Sequence, residues 1–135
     1  MASMSVKLRN ERHELVRLAE LVQGFCAEQR LSDEAVNNIN LVLDEMVSNV
    51  IKYGRASDGG IDVSLALDAG LLAIDVTDDG VAFNPIEATP PDLDLPVIER
   101  PVGGLGIHIV KTLTETITYR REDRRNHLTL TMRVR

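Results

Sequence analysis

The sequence is poor in the residues that build covalent or metal-held frameworks. One cysteine, Cys26, occurs in 135 residues, so no disulfide forms within the chain and a reduced, cytoplasmic setting is expected. Cys26 falls in an apolar-periodic stretch and reads as a small core residue rather than a nucleophile. The three histidines, His13, His108 and His127, are scattered; with one cysteine they lack the ligand spacing of a zinc site. No apolar run approaches about 18 residues, so no membrane-spanning helix is expected. Met1–Ser5 lacks the basic-then-apolar pattern of a secretory leader. A basic surplus is missing too: 15 Lys and Arg face 21 Asp and Glu, a net charge of −6, which argues against a nucleic-acid binder that works through phosphate contacts. Arg120, Arg121, Arg124 and Arg125 cluster locally and read as a solvated hairpin tip. Proline is absent outside Phe83–Val102, which holds all five.

What is present is hydrophobic residues at 44% of the chain, enough for one compact domain over residues 1–135. Met4–Leu8 alternates apolar and polar residues, as a short edge strand does. Leu15, Leu18, Ala19, Val22 and Cys26 fall at helical spacing, so a helix is expected from about Glu11 to Arg30, capped by Asn10. Ser32 caps a second helix, with Asp33 and Glu34 in its first turn. The apolar stripe Val36, Ile39, Leu43, Met46, Val47 and Val50 carries that helix towards Tyr53, with Gly54 as its stop. Ala56–Gly60 reads as a turn.

Ile61, Val63, Leu65 and Leu67 make a strand with one covered face, Asp68–Gly70 a hairpin connection, and Leu71–Asp78 the returning strand. The proline-rich stretch fits neither regular helix nor central strand. Its length predicts a functional loop, a lid over about residues 84–102. Leu105–Leu113 reads as a helix, and Glu115–Glu122 with His127–Val134 as a closing hairpin. The order is β-αα-ββ-lid-α-ββ, which predicts an α/β (α+β) fold: a two-layer sandwich, with a mixed sheet packed against helices.

Three patches carry chemistry. Glu45 and Asn49 stand four apart, on one helix face beside the apolar stripe. An Asn amide oxygen is a hard neutral ligand that suits magnesium, and a carboxylate one turn away can accept a proton from an attacking hydroxyl. Asp78 ends a mostly apolar strand, where it can accept a hydrogen bond from an exocyclic amine; Gly80 lets backbone approach a ring. Gly103, Gly104 and Gly106 lead into a helix whose free N–H groups make an anion site. No Gly-Lys-Ser/Thr P-loop and no Gly-x-Gly-x-x-Gly fingerprint is present. Taken singly, the patches also fit a helix surface, a β-turn and a hinge. Their order and spacing favour one magnesium–nucleotide pocket.

The same residues resemble a known family. LDEMVSNVIKYG is similar to the N box, DDGVAF to the first glycine box and GGLGIHIV to the second glycine box of the GHKL (Bergerat-fold) ATPase/kinase superfamily. The resemblance runs from about Ser32 to the C-terminus and is strongest to bacterial anti-sigma-factor serine/threonine kinases. It implies ATP and Mg2+ as cofactors, Glu45 as general base and Asn49 as magnesium ligand. Asp78 would bind the adenine amine with Gly80 beside the ring. Gly103, Gly104, Gly106 and, from the lid, Arg100 would meet the phosphates. Ala82 departs from the pattern, since many superfamily members have a second glycine there.

The implied partners are an anti-anti-sigma protein of the STAS type and a sigma factor, with a homodimer as the family expectation and no direct contact with nucleic acid or membrane. The alternative is a nucleotide-dependent, non-catalytic partner-switching protein that uses the same pocket. His13-Glu14 looks like the phospho-accepting pair of sensor histidine kinases, but it reads as the first turn of a helix. A gyrase- or chaperone-type machine needs further coupling domains.

Overall fold

A computed structural model describes residues 1–54, 60–87 and 104–135. Among the described residues, one sheet and three α-helices form two layers. The strands are β1 (Ala2–Leu8), β2 (Ile61–Asp68), β3 (Leu71–Asp78), β4 (Thr116–Glu122) and β5 (Arg125–Arg133); the helices are α1 (Glu14–Glu28), α2 (Asp33–Asn49) and α3 (Gly104–Leu113). Strand order is β1-β2-β3-β5-β4. The period-2 patterns fall on one face: Leu65 pairs with Ile74, and Ile74 with Leu130, all buried against the helices. The adjacent row, Ser64, Asp75 and Thr129, lies on the other face, and Thr129 Oγ1 donates to Asp75. Val22, Phe25, Cys26, Ile39, Leu43, Met46 and Val47 close the core from the helical layer. Cys26 is fully buried, and burial pushes its thiol pKa up.

The sandwich is as expected, but every pair of neighbouring strands is antiparallel, where the sequence suggested a mixed sheet. Between β1 and β2 the chain makes two helices, an up-and-down pair that returns it to the sheet end it left, so Leu8 pairs with Ile61. The single crossover through α3 does make β4 parallel to β3, but β5 inserts between them and hydrogen-bonds to both.

The helix limits also shift. α1 starts at Glu14, and Asn10 does not cap it. Residues 11–13 form turns, and the Glu14 carboxylate accepts from the Arg9 N–H at 3.0 Å and the Arg17 guanidinium at 3.3 Å. These bonds, the Arg9 N–H first, hold the Glu14 pKa below its ordinary value. At the other end Arg30 is left-handed (φ 57°). Arg30 N–H bonds to Ala27 O and Leu31 N–H to Cys26 O, a Schellman stop made without glycine. Ser32 caps α2 as expected, its Oγ accepting from Ala35 N–H at 3.1 Å. After Asn49 the helix widens into a π turn, Val50–Gly54. Both tight hairpins have two consecutive left-handed residues, Ala69–Gly70 and Asp123–Arg124, the form that matches strand twist.

Candidate functional site

α2 is amphipathic, with Met46 and Val47 in the core. Glu45 and Asn49 lie at the edge of that stripe, one turn apart. Asn49 is buried and its Nδ2 donates to Glu45 Oε1 at 3.4 Å. That bond leaves the Asn49 carbonyl oxygen outside it, as a hard donor. The half-buried Glu45 carboxylate reaches across to α3, where it lies against Gly106: a Cβ at residue 106 would overlap it. The first and third patches therefore meet at one point.

Asp78 continues the inward row of β3 past Ile74 and Val76 and is buried. Its Oδ1 accepts from Gly80 N–H at 2.8 Å and from Asn126 Nδ2 at 3.0 Å. Asn126 stands directly opposite on β5, also buried, and its Nδ2 donates again to Val81 O at 2.8 Å. Its Oδ1 accepts from Phe83 N–H at 3.4 Å and from the Tyr119 hydroxyl. Arg121 donates to Gly80 O at 2.7 Å. Behind this loop Asp79 packs on Gly60, where a Cβ would overlap the Asp79 carboxylate.

Between Asn49 and Asp78 runs a narrow crevice, with Val76 and Leu128 in its lining and Phe83 and Pro85 on one side. Phe83 stacks on Tyr53 of the π turn, with centroids 5.4 Å apart. The crevice has a free volume of about 10 Å³, room for about one water. A larger cavity of about 630 Å³ lies elsewhere, between α1 and α2 at Leu15, Leu18 and Leu41. Its lining includes none of Glu45, Asn49, Asp78 or the α3 glycines, so size alone does not locate the chemistry.

Glu45 and Asn49 thus gather with Gly106 at one end, and Asp78 with Gly80 at the other. Gly104 opens α3. Gly103 and residues 88–102 of the expected lid, Arg100 among them, lie outside the described residues, as do residues 56–59 of the expected turn. Lys111, exposed on α3, donates to Ile86 O at 3.1 Å. One charge reading changes. The arginine cluster is not wholly free at its tip: besides Arg121, Arg125 pairs with Asp62 at 3.0 Å. Asn126, Tyr119 and Arg121 were not singled out for the site from sequence. The available signal was Asn126 at an inward position of β5, where its row otherwise continues Leu128, Leu130 and Met132.

The donor set fits magnesium and ATP. Among the described residues no group of three or more His, Cys, Asp or Glu forms a protein cage for a metal. A single amide oxygen beside an anion site is instead how a cation held mainly by water and phosphates is bound. The buried Asp78 carboxylate takes the Gly80 and Asn126 bonds on Oδ1 and has Oδ2 to offer an amine. No helix among the described residues is long and apolar enough to cross a membrane.

Comparison with known proteins identifies the family. The family model described as a histidine kinase-like ATPase domain matches residues 8–132. A serine/threonine-protein kinase, BtrW, from Bordetella bronchiseptica is 30% identical over 100 residues, 74% of this chain and 64% of that protein. A serine-protein kinase, RsbW, from Bacillus mycoides is 25% identical over 119 residues, 84% of this chain and 73% of that protein. Among solved structures, the RsbU and RsbW domains of a Mycobacterium tuberculosis protein share the fold with a TM-score of 0.71 at 17% identity, over 99% of this chain and 32% of that one.

Proposed function

The chain belongs to the histidine kinase-like ATPase domain family, and on that premise we propose an ATP- and magnesium-dependent serine/threonine protein kinase. Its substrate is an anti-anti-sigma partner of the STAS type, and in its other complex it sequesters a sigma factor in the cytoplasm, working as a homodimer. The observation that carries the reading is the Glu45 carboxylate, one turn from Asn49 and lying against Gly106 at the start of α3. A pocket that only held nucleotide has no need of a carboxylate at its phosphate end. The kinase names of the relatives from Bordetella and Bacillus support the same class.

Each residue then has a role. The Asp78 carboxylate accepts from the adenine amine, with Gly80 beside the ring. Gly103, Gly104 and Gly106, at the N-terminus of α3, hold phosphate oxygens, and Arg100 adds a contact from the lid. Asn49 would hold magnesium, which would supply charge neutralisation at the phosphates. Glu45 accepts the proton of the attacking hydroxyl as that oxygen bonds to the γ-phosphorus and the bond to ADP breaks. Positioning and charge neutralisation account for the rest. Because the crevice has room for about one water, nucleotide entry requires lining side chains such as Phe83 to move.

The test mixes the purified protein with labelled ATP, magnesium and candidate anti-anti-sigma proteins. Phosphoserine or phosphothreonine on the partner is expected, and Glu45→Ala should bind ATP without transferring phosphate. Wild-type binding without transfer would assign the non-catalytic switch instead. Absence of nucleotide binding would overturn both readings.

A further inference from the structure

Asn126 has all its hydrogen-bonding capacity committed. Its two Nδ2 hydrogens go to Asp78 Oδ1 at 3.0 Å and Val81 O at 2.8 Å. Its Oδ1 takes the Phe83 N–H and the Tyr119 hydroxyl. This set fixes which way the amide points. Turned over, its oxygen would face a carboxylate and a carbonyl, and its NH2 would face an N–H donor. The residue is 4% exposed and Asp78 is 3% exposed, so water does not readily replace these bonds.

From this network we infer that Asn126 is a positioning and specificity residue for the nucleotide base. The amide donor holds Asp78 as an acceptor, pinned through Oδ1 with Oδ2 left for the base. Such a seat takes a 6-amino purine, a donor, and rejects a 6-oxo purine, an acceptor. The other half of the amide ties this seat to β4 through Tyr119 and to the start of the following segment through Phe83. The inference rests on the proposal that Asp78 binds adenine.

Asn126→Asp separates the two halves. It keeps the shape and the acceptor towards Tyr119 and Phe83, but at high pH it sets a second carboxylate against Asp78 and Val81 O. When the pair holds one proton, the bond to Asp78 Oδ1 re-forms. Among the described residues, the polar groups facing the pair are the Tyr119 hydroxyl of β4, the Arg121 guanidinium of β4 through Gly80 O, and Asn49 of α2 across the crevice with Glu45 bonded to it. All of them are present in the wild type, whose pH profile is the control.

ATP and ITP affinities are measured from about pH 8 to about pH 5.5, with circular dichroism to verify folding. Loss of a bond to a charged partner is worth at least about tenfold in affinity. Asn126→Asp is therefore expected to bind ATP at least about tenfold more weakly than wild type at the upper pH and to recover at the lower. Its preference for ATP over ITP should fall and return in step. Asn126→Leu, of similar volume and without the amide, should be weak at both. The inference is overturned if a folded Asn126→Leu keeps wild-type ATP affinity and base preference, or if the Asn126→Asp profile parallels wild type. Wild type that binds no ATP counts against the pocket itself; wild type that binds normally, beside unaffected variants, counts against Asn126 alone.

Discussion

Gly106→Ala should separate chemistry from folding. The added Cβ would overlap the Glu45 carboxylate, which is the end of a flexible side chain and turns away at small cost. Helix propensity favours alanine over glycine by up to about 1 kcal/mol in a helix interior. The 3.4 Å bond from Asn49 to Glu45 is lost, at about 0.5–1 kcal/mol for so long a contact. These terms nearly cancel, so Tm should stay within about 5 °C of wild type. Phosphate transfer should fall by about 10²-fold or more, the contribution of a positioned general base. ATP affinity should fall far less than transfer, because the phosphates are held by backbone N–H groups that alanine also has. The assay is single-turnover transfer from labelled ATP to the partner, with ATP affinity measured separately. Combined with Glu45→Ala, Gly106→Ala should add nothing, because both remove the same group. Wild-type transfer by the folded variant would refute the placement of Glu45; fully multiplicative losses would show that Gly106 acts independently of it.

Other perturbations test the frame. Glu14 has a folded pKa held below the ordinary value by the Arg9 N–H and then by Arg17. It is therefore protonated more readily in the unfolded chain, so its stabilisation is complete above the unfolded value of about 4.3 and is lost as pH falls through the lower folded value. The Tm advantage of wild type over Glu14→Gln should narrow on acidification through that window; a constant gap refutes the assignment. Arg30→Gly removes a side chain from the left-handed stop of α1 and should raise stability in urea by about 0.5–1 kcal/mol, after the greater freedom of unfolded glycine is subtracted. Ser32→Ala should cost about 1 kcal/mol in the same assay, and an unchanged midpoint would mean that the bond to Ala35 N–H contributes nothing.

Much of this was legible because it is local. Strict alternation in Ile61–Leu67 and Leu71–Asp78 has one physical solution, a hairpin with one covered face, and the strands follow it. The Glu45–Asn49 pair needs only helical spacing. Asn126 was hidden because its partner Asp78 is 48 positions away and is met only through the β3–β5 register. The start of α1 was misread because Asn10 has the chemistry of a cap, whereas the fold uses the Glu14 carboxylate to bind the incoming backbone. The mixed sheet was misread because local pattern does not say that β5 enters between β3 and β4. The π turn after Asn49 leaves no mark in the apolar period.

The magnesium-dependent gain in ATP affinity, measured by titration calorimetry for wild type and for Asn49→Ala, tests the pocket most directly. Wild type should bind ATP more tightly with magnesium than with chelator, and the gain should shrink sharply in the folded variant, because an amide oxygen of Asn49 completes the cation's ligands. An equal gain in both proteins, or a folded wild type that binds no ATP, would contradict a pocket built from Asn49, Asp78 and the α3 glycines.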